Sequence, residues 1–167
     1  MTISVASLIA KYDLTPHPEG GFYKQTYISN ERIPAAALPE RFSDDRYFST
    51  AIYFLLEQGN FSAFHRIKSD EVWHFYTGGN LNIYIIHHDG NLEVLTLGDE
   101  ITDDSSFQLV VPGGCWFASE PVSGVAFSFV GCTVSPGFDF ADFELANAIE
   151  LAREYPAHKA IIERLCR

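Results

Sequence analysis

A histidine and a glutamate six positions apart are the strongest candidates for chemistry in this sequence. His65 shares one face of an alternating segment with Phe61 and Ala63, and Glu71 shares a face of the next segment with Trp73. If a hairpin directs His65 and Glu71 inward, a histidine–carboxylate pair lies in a cavity with aromatic walls. The carboxylate favours the imidazolium and the apolar walls oppose it. Such a histidine can be a general acid or base near neutral pH, which makes His65 and Glu71 our candidate catalytic residues.

Aromatic and acidic side chains around this pair are candidates for holding a ligand. Rings at the mouth of a barrel can stack on a sugar or a base, although packing in the core is their simplest role. A glutamate in the Pro/Gly-rich segment 14–21 could contact a ligand from a lid, and two tyrosines are candidates by location alone. The candidate ligand-binding residues are Trp73, Phe75, Phe117, Tyr53, Tyr23 and Glu19.

Two further histidines receive structural interpretations. His74 alternates with Glu71 and Trp73, so we expect it to point away from the cavity. His17 lies in the Pro/Gly-rich segment, where it can edge the pocket, but loop histidines are usually solvated.

A series of short strands must position these residues. From Thr50 to Val134 the apolar pattern repeats every two residues, which predicts strands. Gly- and Pro-containing breaks separate them, and Asp89-Gly90 predicts a two-residue type I′ hairpin. Many short strands at this spacing indicate an all-β sandwich or barrel. The predicted strands span residues 22–28, 50–56, 61–67, 71–77, 81–88, 91–97, 107–111, 115–119 and 125–134.

Helices are predicted near both ends of the chain. Apolar residues recur at helical spacing over residues 4–12, 139–154 and 157–166, and the intervening segment 29–46 reads as a long polar loop. We expect the C-terminal helices to pack on the outside of the β core. The length of 167 residues fits one domain, residues 1–167, with a β core at about 22–134 and C-terminal helices at about 139–166.

Composition limits the classes of partner. The formal charge of −11 opposes binding to nucleic acid and to anionic membranes. Three widely spaced cysteines predict neither a structural zinc site nor a disulfide framework. The first residues carry no signal-peptide pattern, and no stretch approaches the ~20 apolar residues of a membrane helix. We therefore expect a cytoplasmic protein in a reducing compartment.

The segment around His65 resembles the first motif of the cupin superfamily, G-x5-H-x-H-x3-4-E-x6-G. Gly59, His65, Glu71 and Gly78 stand at the matching positions, and Pro112 and Gly114 match the second motif. The resemblance implies a mainly β protein, a double-stranded β-helix or cupin jelly-roll barrel, with a short N-terminal helix and C-terminal helices. Of the four metal-ligand positions in these motifs the chain keeps His65 and Glu71, whereas Ile67 and Phe117 occupy the other two. We therefore expect no metal or other cofactor; any divalent metal would use His65 and Glu71.

The wider chain is similar to a narrower group, cupins of undetermined function that resemble dTDP-sugar epimerases. The matching stretches are residues 16–23, 51–56, 69–76 and 136–140, within a similarity that covers about residues 5–150. This resemblance implies a homodimeric barrel with a ligand pocket. It also implies that His65 is a base acting beside a ketone without metal, with a tyrosine as acid; Tyr23 and Tyr53 are candidates for that acid.

Three functions are compatible with these features. The first is a metal-free cupin that binds a small polar ligand, such as a sugar nucleotide or carbohydrate, and isomerises or epimerises it with His65 as base and Glu71 as its orienting partner. The second is a metal-dependent cupin, an oxygenase or isomerase, with an incomplete ligand set. The third is a non-catalytic binding or storage-like module.

Overall fold

A computed structural model describes residues 3–101 and 104–167. The described chain is mainly β, with short helices near its ends. The strands are β1 (Thr15–Pro16), β2 (Phe22–Ile28), β3 (Arg32–Ile33), β4 (Arg46–Tyr47), β5 (Thr50–Glu57), β6 (Ser62–Arg66), β7 (Asp70–Gly78), β8 (Leu81–Ile86), β9 (Leu92–Leu97), β10 (Ser105–Ser106), β11 (Gln108–Val111), β12 (Trp116–Pro121), β13 (Phe127–Ser135) and β14 (Glu144–Leu145). The α-helices are α1 (Val5–Tyr12), α2 (Ala148–Glu154) and α3 (Lys159–Arg164), and 3-10 turns span Ala35–Ala37, Phe140–Asp142 and Pro156–His158.

The strands form two six-stranded sheets that face each other. The first sheet has the order β1-β2-β5-β13-β7-β11, and the second has the order β10-β9-β8-β12-β6-β14. Strands β3 and β4 form a separate two-stranded ribbon. This arrangement confirms the predicted mainly β jelly-roll fold with helices at both ends.

Strands β6 and β7 belong to opposite sheets, which corrects the hairpin predicted for the segment 61–77. β6 pairs with β12 and β14 in the second sheet, whereas β7 pairs with β13 and β11 in the first. The short connection between them therefore crosses from one sheet to the other. His65 and Glu71 approach the interior from two different walls rather than side by side on one hairpin.

The buried apolar side chains form three clusters, one between the two sheets and one on the outer face of each sheet, because successive residues of a strand point to opposite faces. Inward side chains such as Phe54, Trp73 and Phe117 fill the space between the sheets. Leu151 of α2 and Ile162 of α3 cover the outer face of the second sheet, as the sequence predicted for the C-terminal helices. α1 covers part of the outer face of the first sheet through a third apolar cluster. These contacts bury the apolar stripe that a short amphipathic helix must hide.

The predicted helix over residues 139–154 is wrong in its first half. The Asp139 side chain accepts a hydrogen bond from the Ala141 N–H and begins a single 3-10 turn, after which β14 pairs with β6. The α-helix begins only at Ala148, because the Asn147 side chain caps the N–H groups of the first turn. The apolar residues at helical spacing therefore belong to two different elements, and Leu145 and Ile149 are exposed.

Two turn and loop predictions also need correction. The connection between β8 and β9 is longer than a two-residue type I′ hairpin, because the N–H of His87 bonds to the Asn91 carbonyl and that of Gly90 bonds to the His87 carbonyl. Within this turn Gly90 has a positive φ of 85°, whereas Asp89 does not have a positive φ. The predicted loop 29–46 contains β3, one 3-10 turn and the first residue of β4. No helix in residues 3–101 and 104–167 is long and apolar enough to cross a membrane.

Candidate active site

A cavity of about 220 Å³ opens between the two sheets. Its walls are mainly aromatic and aliphatic, with a small number of polar side chains that converge on the interior, which is the usual composition of a small-molecule site. The lining residues are His17, Glu19, Tyr23, Gln25, Thr50, Ile52, Phe54, His65, Ile67, Glu71, Trp73, Cys132, Val134, Phe138, Phe140 and Phe143.

His65 presents a single ring nitrogen to this cavity. The side chain is 4% exposed, and its Nδ1 lies 2.7 Å from the carbonyl oxygen of Ala63. A carbonyl oxygen can only accept a hydrogen bond, so Nδ1 must carry a proton. The tautomer and the ring orientation are thereby fixed, and Nε2 is the nitrogen that faces the cavity. β12 and β14 hold the strand of His65 on both sides, with Phe117 and Leu145 as its register partners.

The partner of His65 is Glu19, not Glu71 as the sequence predicted. Glu19 Oε2 lies 3.1 Å from His65 Nε2 and 3.4 Å from His17 Nδ1. Because His65 Nδ1 is committed to a carbonyl, the short Nε2–Oε2 contact requires a further proton between the two atoms. The pair is therefore either an imidazolium with a carboxylate or an imidazole with a carboxylic acid.

Burial determines which of these two forms is favoured. Burial lowers the pKa of His65 to about 4, although the hydrogen bond to Ala63 opposes this change. Burial also raises the pKa of Glu19, against the opposing effects of His17 and of the hydrogen bond from Ser62. Both directions disfavour separated charge and favour the neutral form of the pair. Such a pair can bind one more proton or release the one that it shares.

The Glu19 loop is fixed to the start of β6. The N–H of Ala63 donates to the Glu19 carbonyl at 2.8 Å, and the Ser62 hydroxyl donates to Glu19 Oε1 at 2.8 Å. The next residue, Gly20, has a φ of 114°, and a Cβ there would collide with the Phe61 carbonyl. Glycine is therefore required for the loop to approach β6 this closely. The Arg167 guanidinium donates to the carbonyl oxygens of Glu19 and Phe61 and closes the contact from outside.

His17 belongs to the same loop and is buried, contrary to the expectation that it is solvated. Its side chain is 7% exposed, and its ring packs edge-on against Tyr23 with the centroids 4.6 Å apart. Its Nδ1 accepts a hydrogen bond from the N–H of Glu19 at 3.3 Å. Burial lowers the pKa of His17, although the charge of Glu19 opposes this. The loop thus contributes an imidazole as well as a carboxyl to the cavity.

Glu71 faces the cavity from the first sheet. It is 8% exposed, and its Oε2 accepts a hydrogen bond from Trp73 Nε1 at 3.0 Å. Burial raises the pKa of Glu71 to about 8, and the charge of Glu19 acts in the same direction. At neutral pH this carboxyl is therefore mainly protonated. Cys132 on β13 lies beside it, and burial raises the pKa of that thiol further.

An aromatic segment that the sequence analysis did not assign to the site forms part of the cavity wall. Phe138, Phe140 and Phe143 line the cavity, and the Phe143 ring centroid lies 5.4 Å from that of His65. A buried ion pair anchors the segment, because Asp142 receives two hydrogen bonds from Arg46 at 2.6 and 2.7 Å. The three Phe residues between positions 138 and 143 were the signal for this wall, but the helix predicted over these positions obscured it.

The candidate ligand-binding residues fall into three groups. Trp73, Tyr23 and Glu19 line the cavity. Phe75 and Phe117 belong to the core between the sheets and do not line it, although the Phe117 ring lies 4.1 Å from that of His65. These two positions correct the expectation of direct contact, because Phe117 is fully buried in the core and Phe75 packs against the same cluster while partly buried.

Tyr53 is the remaining candidate, and it lies outside the barrel. It is on the outer face of the first sheet, 4.8 Å from the Tyr12 ring of α1, because its neighbours Ile52 and Phe54 point inward. As predicted, His74 also points away from the cavity, where it contacts Thr133 at 3.1 Å.

The donor set does not fit a metal of the kind that cupin motifs hold. Ile67 and Phe117 supply no ligand atoms, and the one nitrogen that His65 turns inward is engaged with Glu19. Within residues 3–101 and 104–167, no group of three or more His, Cys, Asp or Glu side chains is arranged to hold a metal ion. Catalytic metal sites typically have three protein ligands, which is more than this donor set supplies.

Comparisons with known proteins give the chain a family. A family model described as Cupin superfamily (DUF985) matches residues 6–146. A crystal structure of protein SO0799 from Shewanella oneidensis is 38% identical, with 99% of each chain covered and a TM-score of 0.89. A hypothetical protein from Leishmania major is 30% identical, with 98% of this chain and 99% of that one covered and a TM-score of 0.90. An uncharacterized yeast protein, YML079W of Saccharomyces cerevisiae, is 28% identical over 148 residues, which is 83% of this chain and 73% of its own length.

A more distant likeness concerns the fold alone. Oxalate decarboxylase from Bacillus subtilis superposes with a TM-score of 0.54 at 13% identity, covering 90% of this chain and 36% of the enzyme. At this identity the shared feature is the barrel, and function has to be argued from the site itself.

Proposed function

Because the chain belongs to the Cupin superfamily (DUF985), we propose that its inter-sheet cavity binds a small polar carbonyl compound and moves a proton on the carbon beside the carbonyl. The observation that carries this proposal is the His65–Glu19 pair. It is buried, it shares a proton, and the Ala63 carbonyl fixes its tautomer. Buried ionisable pairs with perturbed pKa values in a cavity are more often functional than structural.

The proposed reaction assigns one role to each polar wall. His65 Nε2 exchanges its contact with Glu19 for the substrate proton as the C–H bond beside the carbonyl breaks, and the electron pair of that bond forms an enolate. Tyr23 lines the cavity, and its hydroxyl donates a proton to the enolate oxygen. Delivery of a proton from solvent to the other face of the same carbon, while Tyr23 takes back the enol proton and His65 releases its proton to solvent, epimerises the compound. Return of the proton from His65 to the neighbouring carbon, while Tyr23 takes a proton from the hydroxyl on the original carbon, isomerises it. Glu71 holds a polar group of the ligand from the opposite sheet.

The size and charge of the cavity favour a carbohydrate-sized molecule without phosphate. A volume of about 220 Å³ lies below the range of roughly 300–1,000 Å³ that is typical for drug-sized ligands. No Lys or Arg is among the lining residues in the described part of the chain, and two carboxyls are. A diphosphate would need cationic partners, so we favour a free sugar over a sugar nucleotide. The proposed proton transfer beside a carbonyl is thus the chemistry of a sugar epimerase, applied to a ligand that lacks the nucleotide.

Hydrogen exchange on a sugar panel tests the proposal. The protein would be incubated in D₂O with aldoses, ketoses and amino sugars, and loss of the proton signal beside the carbonyl would be followed by NMR. We expect exchange with at least one sugar class, and its loss in His65→Asn. His87→Asn is the matched control, because His87 contacts Glu93 away from the cavity.

Two results would contradict the proposal. Exchange at the wild-type rate in His65→Asn would remove the histidine from the reaction. Saturable sugar binding without exchange in any sugar would show a binding module rather than an isomerase or epimerase. In that case His65→Asn would change affinity alone.

A further inference from the structure

We propose that the ligand of this cavity carries an organic ammonium group, which Glu71 and the surrounding aromatic rings bind. The inference rests on the proposed function for the location of the site, and it adds the charge of the ligand. Together the two proposals describe a small amino-carbonyl compound.

The cavity contains one buried carboxyl, Glu71, that has no cationic side chain beside it. Glu19 is fully engaged, because Ser62 occupies Oε1 and the two imidazoles face Oε2. Glu71 receives hydrogen bonds from two neutral donors, the indole of Trp73 and the thiol of Cys132. Among the described residues, no Lys or Arg lines the cavity. Ionisation of a buried carboxyl is costly unless a cation pairs with it, and an ammonium group on the ligand would supply that cation.

The walls around Glu71 favour an organic cation over a metal ion. Trp73 and Phe54 are both about 1% exposed and meet edge to face with their ring centroids 5.8 Å apart. Phe138, Phe140 and Phe143 bring further rings from the other side of the cavity. Aromatic rings attract ammonium groups at about 6 Å or less, whereas a divalent metal needs several oxygen or nitrogen ligands that these walls do not offer.

Four titratable side chains of the cavity set the charge around Glu71. These are Glu19 and His17 of the loop, His65 of β6 and Cys132 of β13. At neutral pH none of the four is expected to supply a positive charge, because burial lowers the pKa of both imidazoles and raises that of the thiol. An ammonium ion would therefore be the positive charge that allows Glu71 to ionise in place.

A pair of probes of matched shape tests this inference. Choline carries a permanent positive charge, and 3,3-dimethyl-1-butanol has the same shape without it. Binding of each would be measured by isothermal titration calorimetry at pH 9, above the pKa of about 8 of Glu71. We expect choline to bind at least about tenfold more tightly than the neutral alcohol, which corresponds to about 1.4 kcal/mol.

Glu71→Gln should abolish this preference, and Glu144→Gln, which alters a half-exposed surface pair, should retain it. Equal affinity for the two probes, no binding of either, or a choline preference that survives in Glu71→Gln would overturn the inference. The measurement needs no turnover. If no sugar exchanges its hydrogen but choline still binds more tightly than the neutral alcohol, the proposed reaction is rejected and the ammonium site is retained.

Discussion

Replacing Glu71 by Gln should stabilise the protein at neutral pH. The unfolded chain ionises this carboxyl with an ordinary pKa of 4.5, whereas burial raises the pKa of folded Glu71 to about 8. Folding must therefore retain a proton that the unfolded chain has already released. Each pH unit in this interval costs about 1.4 kcal/mol. At pH 7 the cost is about 3 kcal/mol, and a glutamine does not incur it.

The sign of the pH dependence follows from the raised pKa. The contribution of Glu71 to stability is complete below pH 4.5, falls as the pH rises toward about 8, and is constant above it. The glutamine amide oxygen can still accept the hydrogen bond from Trp73 Nε1, so the substitution leaves that contact in place. The advantage of Glu71→Gln should therefore be negligible near pH 4.5 and reach about 3 kcal/mol at pH 7.

Urea denaturation at pH 5, 7 and 9 measures this difference as a free energy of unfolding. Glu144→Gln serves as the control, because the Arg66–Glu144 pair is about half exposed and such pairs contribute roughly 0–1 kcal/mol. A stability difference for Glu71→Gln that does not change with pH would refute the reasoning, as would a loss of stability at pH 7. The expected gain in stability together with the loss of ammonium binding is the usual trade-off at a functional site.

Three further predictions concern other parts of the molecule. Asp142→Ala should lower the free energy of unfolding by about 3–5 kcal/mol in urea denaturation, because it leaves the Arg46 guanidinium, 2% exposed, without its carboxylate; a loss below about 1 kcal/mol would show that the pair is dispensable. Untagged protein purified without chelators should contain far less than one metal ion per chain by mass spectrometry, and a value near one would require ligands beyond His65 and Glu71. Light scattering at micromolar concentration should give the mass of a dimer, since sheet edges are commonly covered by a partner, and a monomer would contradict this.

The strands of the barrel could be predicted from the sequence because the alternation of apolar residues is visible within each short segment. Alternation of apolar residues gives the inward face of each strand directly, and β2 spans the predicted residues 22–28. The same alternation placed His65 and Glu71 toward the interior and His74 away from it. It could not show which strands are neighbours, because pairing between distant strands leaves little trace in a single sequence. The assumed hairpin between β6 and β7 followed from proximity along the chain.

The pairing of His65 with Glu19 could not be predicted for the same reason. The two residues are 46 positions apart, and they meet because a loop with positive-φ glycines docks on the first residues of β6. The Pro/Gly-rich sequence indicates an irregular segment but not its path. The helix predicted from residue 139 failed because Asp139 and Asn147 each begin a separate short element. The aromatic wall of the cavity was hidden inside that prediction.

The anchoring of the aromatic segment has a consequence for how ligand preference can change in this family. Arg46 and Asp142 hold the segment from outside the barrel, whereas Phe138, Phe140 and Phe143 project from it into the cavity. Substitutions at these three positions can therefore reshape the entrance without altering strand register or the hydrogen bonds of His65. The fold separates the reactive side chains, which are embedded in the sheets, from the three rings of this segment, whose backbone is held by the contacts of Asp142 with Arg46 and Lys68 and by the hydrogen bond from the Phe138 N–H to Thr50. Ligand preference can thus change through substitution of the three rings alone.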